Sequence, residues 1–140
     1  FIVYGSHLTV KYEFLSPLAS DKVEASEIKD FKMEIVKHNY ITLKVSHYWP
    51  ELGGVNCGHF VNGECKSKMA NGERWQENTG YAIACPKELA FGTKIKINDR
   101  VWECKDRGGK IKKEDDVFWI DMLVPFPIYN YGELVVGELL

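Results

Sequence analysis

Asp121 has the most unusual surroundings of any carboxylate in the chain. It lies in Val117-Phe118-Trp119-Ile120-Asp121-Met122-Leu123, an almost continuously apolar run, where an ionised side chain is costly without partners. Burial raises a carboxyl pKa, and an acid still protonated near neutral pH can serve as a general acid, giving its proton to a leaving oxygen. The plainer role is a strand-end Asp that caps a turn or pairs with Arg100 or Arg107. Asp106 opens Asp106-Arg107-Gly108-Gly109, and an Asp before a glycine pair commonly just hydrogen-bonds the turn backbone. Its chemical role would be to orient Asp121 or a substrate hydroxyl, while Gly108 and Gly109 let a ligand approach the backbone closely. Tyr48, Trp49 and Trp75 flank a long loop, and their aromatic faces suit a flat apolar ligand surface. Trp102 and Trp119, by strand alternation, belong to the core. Glu73 is a third carboxylate near the same region, with a surface salt bridge or loop contact as its plainer role.

Cys57, Cys65, Cys85 and Cys104 are an even set that allows three complete pairings and fits an oxidising compartment. Bridging the near pair, Cys57 and Cys65, would clamp a segment with little regular structure of its own, which leaves Cys85 for Cys104. Cys85 ends one expected strand and Cys104 lies late in another, so neighbouring strands can bring them together. Zinc is the weaker alternative: Cys57, His59 and Cys65 are donors, but no CxxC or HxxxH pair accompanies them.

These residues need a scaffold, and alternation supplies one. Apolar residues recur at every second position in 8–14, 31–35, 40–45, 93–97, 101–104 and 117–123, the pattern of half-buried strands. Asn98-Asp99 reads as a tight hairpin and Arg107-Gly108-Gly109-Lys110 as a sharp bend. Ser20 to Lys29 is charged and reads as one short helix or a loop. Pro50 to Asn78 has little periodicity and reads as a long loop held by the Cys57/Cys65 pair; long ordered loops are disproportionately functional. The fold class is therefore mainly all-β, with a closed or nearly closed small barrel over residues 39–140 and an extra β element of unknown role over 1–38.

The chain has 140 residues, 45% of them hydrophobic and 13% aromatic, enough for one domain with a real core. Eighteen Lys+Arg against twenty Asp+Glu, a net charge of −2, remove the general phosphate attraction that nucleic-acid binders rely on. No nucleic-acid partner is expected. The apolar runs are too short for a membrane-crossing helix, so no membrane insertion is expected either. Phe1-Ile2-Val3-Tyr4 has neither an initiating Met nor a signal-peptide pattern, so the chain reads as a mature or excised piece.

From Tyr48 to Leu123 a more specific pattern emerges. Ser46-His47-Tyr48-Trp49-Pro50, Met69-Ala70-Asn71-Gly72-Glu73-Arg74-Trp75, Ala84-Cys85-Pro86-Lys87-Glu88-Leu89-Ala90-Phe91-Gly92-Thr93, Lys105-Asp106-Arg107-Gly108-Gly109-Lys110-Ile111 and Trp119-Ile120-Asp121-Met122-Leu123 follow one another in the order seen in double-psi β-barrels. The chain resembles the three-aspartate (3D) domain family, which includes the barrel of membrane-bound lytic transglycosylase A, and is similar to the rare lipoprotein A and barwin/expansin branch. The resemblance implies a six-stranded barrel with a sugar-binding groove and cleavage of peptidoglycan or a related β-1,4-linked glycan. It puts family aspartates at Asp106 and Asp121, the latter resembling the catalytic acid of the lytic transglycosylases. In the rare lipoprotein A branch the implicated Asp matches Asp106, together with a His where Cys85 stands. The 3D families put their first aspartate at that same position, so Cys85 departs from both patterns.

The activity so implied is a lytic transglycosylase with Asp121 as acid and base, needing no cofactor and no metal. Its alternatives are an inverting glycosidase using Asp121 and Asp106, and a non-catalytic, expansin-like glycan-binding module. The expected binding residues are Tyr48, Trp49, Glu73, Trp75, Arg107, Gly108 and Gly109. The expected location is extracellular, periplasmic or cell-wall associated, including a place in a phage particle.

Overall fold

The computed structural model describes residues 6–12 and 33–140. Among the described residues there are ten strands: β1 (Ser6–Tyr12), β2 (Met33–Tyr48), β3 (Phe60–Val61), β4 (Glu64–Cys65), β5 (Ala82–Ala84), β6 (Lys94–Ile97), β7 (Arg100–Asp106), β8 (Lys113–Glu114), β9 (Val117–Leu123) and β10 (Glu133–Leu139). The chain divides into a unit of residues 6–38 and a unit containing residues 39–140. The smaller unit holds β1, next to β2 in sheet order, and the start of β2.

The larger unit is a closed six-stranded barrel. Its sheet order runs β2-β10-β6-β7-β5-β9, and β9 then pairs with β2 to complete the ring. The ring is mixed: β2 lies parallel to β9 and β5 parallel to β7, while the other pairs are antiparallel. Two parallel pairs in a six-stranded ring are compatible with a double-psi arrangement. Closure leaves these strands without a free edge.

Alternation sorts the side chains between two layers. Ile41, Leu43 and Val45 of β2, Ile95 and Ile97 of β6, Trp102 and Cys104 of β7, and Phe118, Ile120 and Met122 of β9 fill the barrel. A second cluster lies on the other face of the wall, where Cys65, Met69 and Trp75 of the 50–78 segment pack on Ala82 and Leu123, with Tyr48 and Trp49 at the margin. The long segment is therefore a cover, attached by its own apolar residues to one outer patch of the barrel. It consists of short 3-10 turns and the β3–β4 hairpin, and Cys57–Cys65 closes it at a Cα separation of 5.9 Å. Cys85–Cys104 joins the end of β5 to β7 at 5.6 Å inside the core. Both thiol pairs are thus oxidised, which removes the thiolates a zinc site would need.

Several expectations change. The strands expected at 31–35 and 40–45 are one 16-residue strand from Met33, because its C-terminal part is hydrogen-bonded on both edges, to β10 and to β9. Trp119 is not core. Phe118, Ile120 and Met122 take the inward positions of β9, which leaves Trp119 outside, its ring edge-on to Tyr131 at 6.1 Å and beneath the Lys44 ammonium at 4.2 Å. The expected Asn98-Asp99 turn joins β6 to β7, with Asn98 at φ 54°, a left-handed conformation that Asn tolerates better than most residues. The 20–29 segment and residues 13, 14, 31 and 32 lie outside the described residues.

Candidate functional site

The site begins as a row across four strands. Asp106 of β7 is level with Ala84 of β5, Ala84 with Asp121 of β9, and Asp121 with Ser46 of β2. The two aspartates are therefore two strand spacings apart, about 10 Å between Cα atoms. The residue between them is alanine, whose side chain leaves the space above the sheet open. Ala84, Asp106 and Asp121 line one hollow of about 230 Å³, with Tyr48, Lys68 and Gly108 also on its walls.

Asp121 sits half-buried in this hollow. Ser46 Oγ donates to its Oδ1 at 2.9 Å and itself accepts from the indole Nε1 of Trp119 at 2.8 Å. A serine has one proton, and Asp121 Oδ1 at 2.9 Å is a nearer acceptor for it than the Ile120 carbonyl at 3.4 Å. Burial drives the Asp121 pKa up to about 6; the Ser46 bond opposes this and the Asp106 charge adds to it. Neither Arg100 nor Arg107 pairs with Asp121. Arg100 covers the Trp102 ring at 4.6 Å, and Arg107 donates to the carbonyls of Cys85 and Leu89 while lying over Phe91 at 4.1 Å. The capping and arginine-pairing role therefore does not account for this side chain.

Asp106 is differently placed. Its Oδ1 accepts from the backbone N–H groups of Ala70 and Arg107, each at 2.8 Å, and its Oδ2 accepts from the Tyr48 hydroxyl at 2.8 Å. One carboxylate thus joins the covering segment, the Arg107 turn and β2. Burial, with the nearby charges of Asp106 and Asp121, pushes the Tyr48 pKa strongly upward, which keeps the phenol a hydrogen-bond donor.

The other expected site residues fall into different places. Arg107 and Gly108 border the hollow, whereas Gly109 lies on an adjoining one that shares both of those residues. Trp75 is 5% exposed, edge-on to Trp49 at 5.1 Å, and borders a separate hollow with Glu51 and Arg74. Glu73 is exposed and accepts from Lys105 at 2.7 Å and Asn71 at 3.0 Å. Lys105, then Asn71, holds its pKa below the ordinary range. Its position is that of a surface ion pair.

Three contributors are not among the expected site residues: Ser46, Ala84 and Lys68. Ser46 lies two residues before Tyr48 and therefore on the same strand face, a usable signal once β2 is extended to Tyr48. Ala84 and Lys68 carry no such signal, since only register and the folded loop bring them to the carboxylates.

No protein-family profile, curated protein or solved structure matches the chain.

Proposed function

We propose that the barrel cleaves the glycan strands of peptidoglycan as a lytic transglycosylase of the three-aspartate type, with Asp121 as its acid and base. The observation that carries this reading is the half-buried Asp121, unpaired by arginine and set beside Asp106 in an open hollow. Protonated Asp121 gives its proton to the glycosidic oxygen between MurNAc and GlcNAc as the C1–O bond breaks. The resulting carboxylate takes the proton of the MurNAc C6 hydroxyl, whose oxygen closes on C1 as a 1,6-anhydro ring. One carboxylate suffices, because the nucleophile belongs to the substrate. Asp106 acts as a positioning residue through Tyr48 and Ala70.

The inverting alternative requires Asp106 to activate a water, with the two carboxyl groups roughly 6.5–9.5 Å apart. The three hydrogen bonds already accepted by Asp106 weigh against that duty. The non-catalytic, expansin-like alternative draws support from Cys85, half of a buried disulfide where similar barrels carry their first aspartate. The disulfides fit an oxidising environment, and a cell-wall or phage-particle location belongs to this proposal. Digestion of purified sacculi followed by product mass tests it: anhydro ends support the transglycosylase, new reducing ends the inverting enzyme, and intact polymer the binding module.

A further inference from the structure

Beside the Asp121 hollow is a second one of about 440 Å³, and the two share Arg107 and Gly108. Its walls carry Lys87, Lys112 and Lys113 as well as Arg107, against the single carboxylate of Glu88. In a chain of net charge −2 this is a local concentration of positive charge. The three lysines are exposed, and among the described residues none of them is in a salt bridge. Arg107 contributes charge to the rim while its guanidinium holds the carbonyls of Cys85 and Leu89. Gly109 leaves bare backbone at the surface: a Cβ there meets nothing within 4 Å, and no left-handed φ demands a glycine.

We propose that this basic hollow receives the acidic stem peptide of the glycan strand, so that the substrate is peptide-bearing rather than naked glycan. The inference rests on the transglycosylase reading and specifies its substrate. The stem peptide hangs from the same MurNAc whose glycosidic bond would be cleaved, so its carboxylates fall beside the cleavage point, where the two hollows adjoin. Lysine ammonium groups suit carboxylates as charged donors, and they offset the repulsion that the Asp106 carboxylate exerts on an anionic substrate.

The test compares peptide-bearing glycan strands with strands stripped of stem peptides by an amidase, both immobilised on beads because stripped strands no longer sediment by themselves, reading both cleavage rate and co-sedimentation of the protein with the beads. The expected result is about three- to tenfold weaker binding and slower cleavage on the stripped polymer, a gap that narrows as salt is raised. Lys112→Gln with Lys113→Gln should shrink the gap, and Gly109→Ala should weaken binding to the peptide-bearing polymer through its added methyl. Equal behaviour on the two polymers, or a gap untouched in the double variant, overturns the proposal. Equally tight sedimentation with a uronate polysaccharide overturns it too, assigning the hollow to a carboxylated sugar. Cleavage of neither polymer sinks the transglycosylase reading alone, and sedimentation then decides the basic hollow by itself.

Discussion

At the scale of single residues, the contrast between Asp121 and Asp106 is one of partners. Asp121 has one donor, Ser46, and a desolvating environment; Asp106 has three donors. If Asp121 is the acid, Asp121→Asn keeps the shape and the Ser46 bond but has no proton to give. Cleavage of sacculi should fall about 10²–10⁴-fold while sedimentation with the polymer survives. The same variant should show a stability signature. A carboxyl whose folded pKa is raised from 3.8 to about 6 favours folding fully below the unfolded value and loses that contribution as pH rises through the folded one. Asn does not titrate. The stability of Asp121→Asn relative to the parent should therefore rise between pH 4 and pH 7, by up to about 3 kcal/mol, as read by denaturant melts; a flat difference would place Asp121 in water. Ser46→Ala removes a bond that lowers the Asp121 pKa, so it should move the high-pH limb of activity upward, a shift that carboxyl NMR titration can read without any substrate.

At the scale of elements, β5 shows how much depends on three residues. Ala82, Ile83 and Ala84 are all buried, and the strand sits between β7 and β9, the two strands that carry the aspartates. The disulfide at its end spans 19 residues and that of the covering segment spans 8, and the chain-entropy relation gives about 3.2 kcal/mol for the first and about 2.5 kcal/mol for the second. Their effects should differ in place. Cys85→Ser with Cys104→Ser puts two hydroxyls into the core and should lower the stability of the whole barrel. Cys57→Ser with Cys65→Ser should mainly speed amide exchange over 50–78 while β2, β7 and β9 stay protected. β10 has its own tight point, because a Cβ at Gly137 would lie 2.6 Å from Ile95 Cγ2 and 2.7 Å from Leu43 Cδ1. Gly137→Ala should cost about 1–3 kcal/mol through overpacking, measured by urea denaturation.

At the scale of the whole molecule, closure is the organising event. The segment of β2 from Asn39 to Tyr48 supplies every β2 residue paired with β10 and β9, and among the described residues the barrel core falls within 39–140. A chain restricted to 39–140 should therefore unfold in one cooperative transition, with coincident circular dichroism and fluorescence curves; separated curves would show that the barrel depends on residues outside that range.

The chain's own pattern determined the β class, the barrel over 39–140 and the Asn98 turn, because alternation and turn residues are local signals that survive in a one-dimensional reading; for the cysteines it offered an expected pairing among three, and the fold fixed the connectivity. It also marked Asp121, since a charge inside Trp119-Ile120-Asp121-Met122-Leu123 stands out without any partner in view. It marked β5 only as the strand that Cys85 ends, since Ala82-Ile83-Ala84 is too short for a period, and it did not reveal β10, where Val135-Val136-Gly137 breaks alternation. Nor could it say which face Trp119 takes, since a strand has two faces and only closure decides which is inside. The row Asp106–Ala84–Asp121–Ser46 exists only through register among β7, β5, β9 and β2. Tertiary structure alone placed Trp75 of the covering segment against Ala82 and Leu123, and Ser46 against the Asp121 carboxylate, because those contacts are not encoded by any local period.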